Sequence, residues 1–261
     1  MNQRFLRVQN QMQMIGREFS LFDGPSHCFR AMGLGVLVAL FSPSAQTQTH
    51  TQTQTQTYQT WPEIDTYINL NQNFRLHFIA TQTIENSQGT DAEIGPNLDF
   101  FFMPLFRRNK GVIFQSDQAK SRLFLFRVGF HYVPSTSGPA EQRGVMEVTG
   151  RYALKSGFLF SVRNRADLRF ISGTFSWRYR DRLTMERTVS IRSYHFTPYV
   201  RGEVYFDSNY GKWSRTSENL GAAFPIRKHT EIEPYYEHQN DTSKSPNRQI
   251  NAFGISLNLY F

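Results

Sequence analysis

The chain of 261 residues ends in Phe253-Gly254-Ile255-Ser256-Leu257-Asn258-Leu259-Tyr260-Phe261. Because successive side chains of a β-strand point to opposite faces, this ending predicts a strand with one apolar face and one small, mostly polar face. The apolar face consists of Phe253, Ile255, Leu257, Leu259 and Phe261. Such alternation is typical of a strand in a transmembrane β-barrel, where lipid-facing and lumen-facing residues alternate. We interpret the five apolar residues as an assembly signal, and we expect outer-membrane lipid and the barrel-assembly machinery of Gram-negative bacteria as partners.

The beginning of the chain predicts export. Residues 31–41 (AMGLGVLVALF) form an apolar run that is too short to cross a bilayer as a helix. Four arginines precede the run, and the small residues Ser44-Ala45 follow it. We therefore predict a signal peptide over residues 1–45, with a start at Met12 or Met14 as an alternative to Met1. A buried core helix is the competing interpretation of the run.

Residues 46–60 are almost purely Gln and Thr. Such a segment has too little apolar surface to offset its conformational entropy, so it predicts a disordered leader. Residues 61–261 remain for one domain. The single cysteine, Cys28, lies in the predicted signal peptide, so the predicted mature chain has no disulfide and no thiolate metal site.

Composition restricts the class of protein. Mean hydropathy is −0.50 although 15% of the residues are aromatic, and no apolar stretch reaches the length of a transmembrane helix. A barrel fits both values, because half of each strand faces water and aromatic residues mark the two membrane interfaces. The net charge is +8, and without residues 1–45 the chain keeps 25 basic and 19 acidic residues. The remaining positive charges lie inside predicted strands rather than in a basic tail, so we expect no nucleic-acid partner.

Turn-like clusters separate eleven extended runs from residue 61 onward. The runs are 63–70, 74–83, 92–103, 121–132, 144–154, 158–170, 174–187, 193–206, 212–224, 229–238 and 249–261. Single-chain bacterial barrels have an even number of strands, so we predict one overlooked strand, with Gly111–Gln115 as the candidate. The expected fold is all-β, a membrane-spanning antiparallel up-and-down barrel of 12 strands, with 10 as the alternative, in the bacterial outer membrane.

Loop lengths support this scheme. Outer-membrane barrels have short periplasmic turns and longer external loops. Counting back from the C-terminus places residues 134–143 and 239–248 outside, and 155–157 and 225–228 on the periplasmic side. Residues 104–120 break the rule, because this long stretch also falls on the periplasmic side.

Charged residues occupy the predicted inward faces. Arginine costs about 2–4 kcal/mol at the lipid midplane, so arginines at alternate strand positions must face the lumen. Asp181 falls on the predicted outer face instead, which indicates a bulge or an exit from the bilayer. The predicted lumen-facing residues are Arg151, Arg163, Arg165, Asp167, Arg169, Arg178, Arg180, Arg182, Glu186, Arg201, Glu203, Glu231, Glu233 and Glu237.

The inward charges allow two functions. Arg–carboxylate pairs could fill the lumen of a structural or surface-exposed barrel that does not conduct. Alternatively, a basic wall faces an acidic wall across water, as in a small passive diffusion channel for small polar solutes. A barrel of about 12 strands lies between the filled eight-stranded and the open 16-stranded cases, so both functions stay open.

An outer-membrane lipid hydrolase is a third alternative. Hydrolases of the phospholipase and lipid A deacylase type use a His-x-Ser motif, in which the histidine activates the serine. The nearest match is His238-Gln239-Asn240, where asparagine replaces the nucleophile, and Ser243 and Ser245 follow only in the next loop. There is no His/Asp/Glu cluster with metal-ligand spacing and no Gly-rich phosphate loop. We expect no enzyme activity, catalytic residue, metal or cofactor.

Arg163-Asn164-Arg165 is followed by Arg169 and by Trp177-Arg178-Tyr179-Arg180. This pattern resembles the domain-of-unknown-function 2490 family of bacterial outer-membrane proteins, which shows R-x-R…R followed by an R-x-R strand. The acidic-aromatic strand Glu203–Phe206 and Tyr235-Tyr236 fall in a similar order, as do Gly221 and the terminal strand. The resemblance covers most of 61–261 and is clearest from residue 158. It implies a β-barrel in the outer membrane and no established activity.

Overall fold

The computed structural model describes residues 55–105, 117–136, 138–243 and 245–261. The predicted signal peptide, residues 46–54 of the predicted leader and the candidate strand Gly111–Gln115 lie outside the described residues. Within the described ranges, no helix combines the length and the apolar character that a membrane crossing requires.

The described residues form twelve strands and one short 3₁₀ helix, Gln118–Ser121. The strands are β1 Thr55–Asn69, β2 Phe74–Glu85, β3 Gln88–Pro104, β4 Arg122–Val133, β5 Glu141–Ala153, β6 Phe158–Ile171, β7 Thr174–Arg187, β8 Val189–Ile191, β9 Tyr194–Asp207, β10 Lys212–Arg227, β11 Thr230–Asp241 and β12 Arg248–Tyr260.

Eleven of these strands close into a barrel, and β8 lies outside it, paired with β9. Consecutive barrel strands are antiparallel, but β1 closes onto β12 in parallel, from Thr55 beside Arg248 to Tyr67 beside Tyr260. An odd number of strands in alternating directions makes this parallel junction necessary. The predicted fold is thus confirmed as an all-β barrel, whereas the predicted count of 12 or 10 and the wholly antiparallel pairing are wrong for the described residues.

The first strand begins inside the predicted Gln/Thr leader. Residues 55–60 belong to β1, where their backbone pairs with β12 from Arg248 to Phe253. The prediction of disorder is wrong for these six residues, because hydrogen bonds to a neighbouring strand supply the stabilisation that their side chains lack.

An apolar belt surrounds the barrel. Phe253, Ile255 and Phe261 are 63%, 49% and 61% exposed, whereas Ser256 and Asn258 between them are buried. The alternation predicted for the terminal strand is therefore confirmed. Aromatic side chains of adjacent strands stack on the outer surface, as in the ring pairs Phe102–Phe124 and Trp177–Phe206.

The two ends of the barrel differ in their loops. The backbone N–H of Asn69 donates to the carbonyl of Phe261, which places the β1–β2 turn at what we call the C-terminal end. The connection 154–157 lies at this end too, and so do Pro104, where β3 ends, and Arg122, where β4 begins. At the opposite end β4 ends at Val133 and β5 begins at Glu141, and β11 ends at Asp241 and β12 begins at Arg248. The long stretch between β3 and β4 therefore starts and finishes at the end where the loop-length rule expects short turns.

Asp181 lies on the outer face without the predicted bulge. The register between β6 and β7 runs without a shift from Phe158 beside Arg187 to Ile171 beside Thr174, and it pairs Asp181 with Asn164. Asn164 is also polar and accepts a hydrogen bond from the Tyr179 hydroxyl. A small polar spot therefore interrupts the apolar belt.

Candidate functional site: the charged lumen

The inner faces of the strands enclose a cavity of about 800 Å³. Its lining extends from Ser135 and Pro139, in a loop at the opposite end, to Lys120 and Glu231 near the C-terminal end. Charged and polar side chains make up most of the lining, because inner positions alternate with the apolar outer positions along every strand.

The structure places all fourteen predicted lumen residues on the inner face. Twelve of them line the cavity. The other two, Asp167 and Glu203, are 0% and 3% exposed and lie behind the lining, in contact with lumen arginines.

Glu203 on β9 holds three arginines together. Its carboxylate accepts hydrogen bonds from Arg163 Nη2 at 2.8 Å, Arg180 Nε at 2.8 Å and Arg182 Nη2 at 2.7 Å. Arg180 and Arg182 occupy alternate positions of the neighbouring strand β7, and Arg163 reaches over from β6. Charge-assisted bonds to one shared carboxylate offset the repulsion between the guanidinium groups.

A second row of alternating charges follows the wall near the opposite end. Glu141 binds Arg143 at 2.6 Å and Arg169 at 2.7 Å. Asp207 then binds Arg169 at 3.1 Å and Arg178 at 2.9 Å. These contacts join side chains of nearby strands, so the row follows the wall rather than crossing the lumen.

A chain of hydrogen bonds that the sequence analysis missed links two buried histidines. His77 Nε2 lies 2.5 Å from Asp65 Oδ1, and His131 Nδ1 lies 2.5 Å from Glu93 Oε1. The amide of Asn97 joins the two rings, with Nδ2 3.1 Å from His77 Nδ1 and Oδ1 2.9 Å from His131 Nε2. The alternation of the sequence could have predicted that both histidines face the lumen, because each occupies an inner position of a strand whose outer face is apolar.

The amide of Asn97 presents a different atom to each ring. Its Nδ2 donates to Nδ1 of His77, so Nε2 is the nitrogen of that ring that can donate to Asp65. Its Oδ1 lies beside Nε2 of His131, and the Glu93 carboxylate lies beside Nδ1 of the same ring. These side chains therefore form one continuous polar chain from Asp65 on β1 to His131 on β4.

Two glycines make room for this chain. A Cβ built on Gly129 would overlap Oδ1 of Asn97, its register partner on β3. A Cβ built on Gly95 would overlap the carbonyl oxygen of Phe130 and the ring of His131, both on β4. Close approach of atoms on the neighbouring strand, rather than a positive φ, is what requires glycine at these two strand positions.

The short helix Gln118–Ser121 is bound into the lumen at the C-terminal end. Asp117, its N-cap, binds Arg75 at 2.7 Å, and Lys120 binds Glu186 at 2.9 Å. Arg151 Nη1 donates to the carbonyl of Ala119 at 3.1 Å. Burial alone would raise the pKa of Asp117, but the charges of Arg75, Lys120 and Arg151 hold this pKa below its usual value.

The histidine of the hydrolase alternative lies on the outer face. His238 Nδ1 is 2.9 Å from Oδ1 of Asn251, which also accepts a hydrogen bond from the Tyr236 hydroxyl at 2.6 Å. In the described part of the chain, neither Ser243 nor Ser245 makes a hydrogen bond to His238, and no group of three His, Cys, Asp or Glu residues is arranged to hold a metal ion.

The arginine rows lie within a match to a family model. The model, described as "Protein of unknown function (DUF2490)", matches residues 58–250. The chain belongs to this family. The match extends from β1 into β12, so the resemblance that the arginine pattern indicated is confirmed. No match to this DUF2490 protein was found among curated proteins.

Several solved structures are similar to the DUF2490 barrel at low identity. The NanC porin is 14% identical with a TM-score of 0.41, and the match covers 76% of this chain and 91% of that one. OmpT, an outer-membrane protein of Vibrio cholerae, is 10% identical with a TM-score of 0.28, covering 66% and 77%. Its loop L8 deletion mutant is 13% identical with a TM-score of 0.30, covering 72% and 85%. A likeness at this level carries no argument about function.

Proposed function

We propose that this DUF2490 barrel spans the bacterial outer membrane and forms a narrow water-filled channel for small polar solutes. The observation that carries the proposal is the direction of the ion pairs. Arg163 reaches Glu203 and Arg201 reaches Glu233, in each case two strands along the barrel. Pairing along the wall leaves the cavity of about 800 Å³ between the walls.

The outer surface supports the membrane location. Phe126, Val128, Phe130 and Tyr132 follow one another at alternate positions of β4 and are between 38% and 52% exposed. Exposed apolar side chains that continue around a closed barrel favour contact with lipid. Outer-membrane lipid is the partner we propose for this belt, and the barrel-assembly machinery is the partner we propose for Phe253–Phe261.

A structural barrel that does not conduct is the second candidate. The short helix at the C-terminal end favours it, because the Asp117–Arg75 and Lys120–Glu186 pairs hold backbone inside the lumen. The three arginines on Glu203 favour it as well, since such a cluster rigidifies the wall whether or not solutes pass.

Conductance separates the two candidates. The protein refolded into planar bilayers should give discrete ion-selective current steps, and the absence of steps over a range of voltages would overturn the channel. In a channel, replacing Arg178 and Arg180 by Glu should shift selectivity toward cations, because both side chains line the cavity. In a filled barrel the same change should only reduce stability. Arg192→Glu is the matched control, since Arg192 lies in the exposed turn between β8 and β9.

We also propose that the barrel does not hydrolyse lipid. Among the described residues, neither Ser243 nor Ser245 makes a hydrogen bond to the His238 ring, and this lack of a serine nucleophile beside the ring supports the proposal. Phospholipid and lipid A incubated with the refolded protein should remain intact. Cleavage that disappears in His238→Ala would show that a hydrolase is present.

A further inference from the structure

Strand order places β6 across the lumen from the junction of β1 and β12. Five barrel strands separate β6 from the junction in one direction, β5 to β1, and five in the other, β7 and β9 to β12. Side chains on the inner faces of β5–β7 therefore face those of β11, β12 and β1 across the cavity. These two surfaces carry opposite charge.

The basic wall consists of the inner faces of β5, β6 and β7. Eight arginines of these strands line the cavity, against three lining carboxylates, Glu141, Glu147 and Glu186. The arginines are Arg143, Arg151, Arg163, Arg165, Arg169, Arg178, Arg180 and Arg182. Arg151 has no carboxylate within 4 Å among the described residues, and it donates a hydrogen bond to the Ala119 carbonyl.

The acidic wall consists of the inner faces of β11, β12 and β1. Five carboxylates line the cavity there, against one arginine, Arg248, which lies at the opposite end. The carboxylates are Glu63, Asp65, Glu231, Glu233 and Glu237.

Three carboxylates of the acidic wall lack a cationic partner in the described part of the chain. No lysine or arginine lies within 4 Å of Glu63, Glu231 or Glu237. Glu237 accepts instead from Asn219 at 3.1 Å and Gln239 at 2.7 Å, which are neutral groups. The charge of this wall is thus offset only in part by the protein itself.

We infer that the channel selects zwitterionic solutes, those with a carboxylate and an ammonium group, over neutral solutes of the same size. This inference rests on the proposed channel function. A zwitterion lying across the lumen places its carboxylate toward the guanidinium groups and its ammonium toward the glutamates, so both of its charges are complemented. A simple ion is attracted by one wall and repelled by the other, and a neutral solute gains neither contact. One opposite-charge contact at about 5 Å in water changes occupancy about fourfold.

Glycine and its uncharged isomer glycolamide test the inference, because they have the same atoms and nearly the same size. Liposomes containing the refolded protein are placed in each solute at about pH 8, where glycine carries both of its charges, and the rate of osmotic swelling is measured. Glycine should enter about fourfold faster than glycolamide after correction for protein-free liposomes.

The double variant Glu63→Gln, Glu237→Gln removes two carboxylates of the acidic wall without breaking an ion pair. It should abolish the advantage of glycine and leave glycolamide entry unchanged. Glu218→Gln is the matched control, since Glu218 is an exposed carboxylate on the outer face of β10 and should keep the advantage. If the double variant fails to fold, Glu231→Gln alone should still reduce the advantage.

The outcomes distinguish failure of the proposed channel from failure of its proposed selectivity. No entry of either solute would overturn the channel itself. Equal entry of glycine and glycolamide through the unchanged protein would overturn zwitterion selectivity and leave the channel standing. An advantage for glycine that survives loss of the acidic carboxylates would also overturn the inference, because the wall would then not be its cause.

Discussion

Replacing Glu203 by glutamine should destabilise the barrel strongly. Glu203 is 3% exposed and is the shared acceptor of Arg163, Arg180 and Arg182. Glutamine keeps the shape of the side chain and one acceptor oxygen, but it removes the negative charge. Three guanidinium groups would then face one another without the charge that holds them.

The size of the destabilisation depends on which carboxylates remain near each arginine after Glu203 is replaced. Arg163 still has Glu147 at 3.8 Å and Arg180 still has Asp167 at 3.9 Å, whereas Arg182 has no second carboxylate among the described residues. Breaking a buried pair by removing one partner costs about 3–5 kcal/mol. The three arginine side chains are 16–22% exposed, which allows some relief by water, so we expect a loss of about 3 kcal/mol in the free energy of unfolding.

Urea titration of the protein refolded into lipid vesicles measures this loss, with tryptophan fluorescence as the signal. Glu218→Gln is the control for removal of a carboxylate, because Glu218 is exposed on the outer face. Adding Arg182→Gln to Glu203→Gln should recover part of the loss, since it removes the arginine that is left without a carboxylate. A change within about 0.5 kcal/mol for Glu203→Gln, or a further loss in the double variant, would refute the view that Glu203 is needed to balance these charges.

Three further predictions concern other parts of the barrel. Gly129→Ala should lower the free energy of unfolding by at least about 1–3 kcal/mol, because the added Cβ overlaps the Asn97 side chain. Gly144→Ala is its control, because a Cβ there meets Leu168 at an ordinary 3.6 Å. Equal urea midpoints for the two variants would contradict the prediction. Asp117→Asn should destabilise the fold by the same amount at every pH between about 5 and 8. The pKa of Asp117 is lower in the folded protein than its unfolded value of 3.8, so the carboxylate stabilises the fold fully above 3.8 and loses this contribution only as the pH falls through the lower folded value. A loss that varies over this pH range would count against the prediction. Deleting Phe261 should reduce assembly of the protein in bacterial outer membranes, measured as the folded fraction in isolated membranes, and undiminished assembly would show that the terminal aromatic residue is not part of the signal.

Much of the barrel could be predicted because its evidence is local. The eleven extended runs correspond to the eleven barrel strands, since a period of two along a strand is written in the order of residues. The inner position of the arginines followed from the cost of placing them in lipid. These inferences required no knowledge of which strands are neighbours.

The errors came from rules that concern the whole barrel. An even strand number is a regularity of bacterial barrels rather than a property of any one strand, and here β1 satisfies its backbone by pairing in parallel with β12. The same pairing turns residues 55–60 into strand, although their composition indicates a leader. Asp181 needed no bulge, because its register partner Asn164 is polar as well.

The residue order of this protein was sufficient to establish an alternating barrel, its apolar outer belt from Phe253 to Phe261 and a lumen rich in arginine, because burial and exposure alternate with neighbours along the chain. It was not sufficient to show which charges meet. The sharing of Glu203 by three arginines, the link from His77 to His131 through Asn97 and the opposition of the acidic and basic walls all join residues that are far apart in sequence. Those contacts depend on closure and on the resulting strand order, which only the folded barrel establishes.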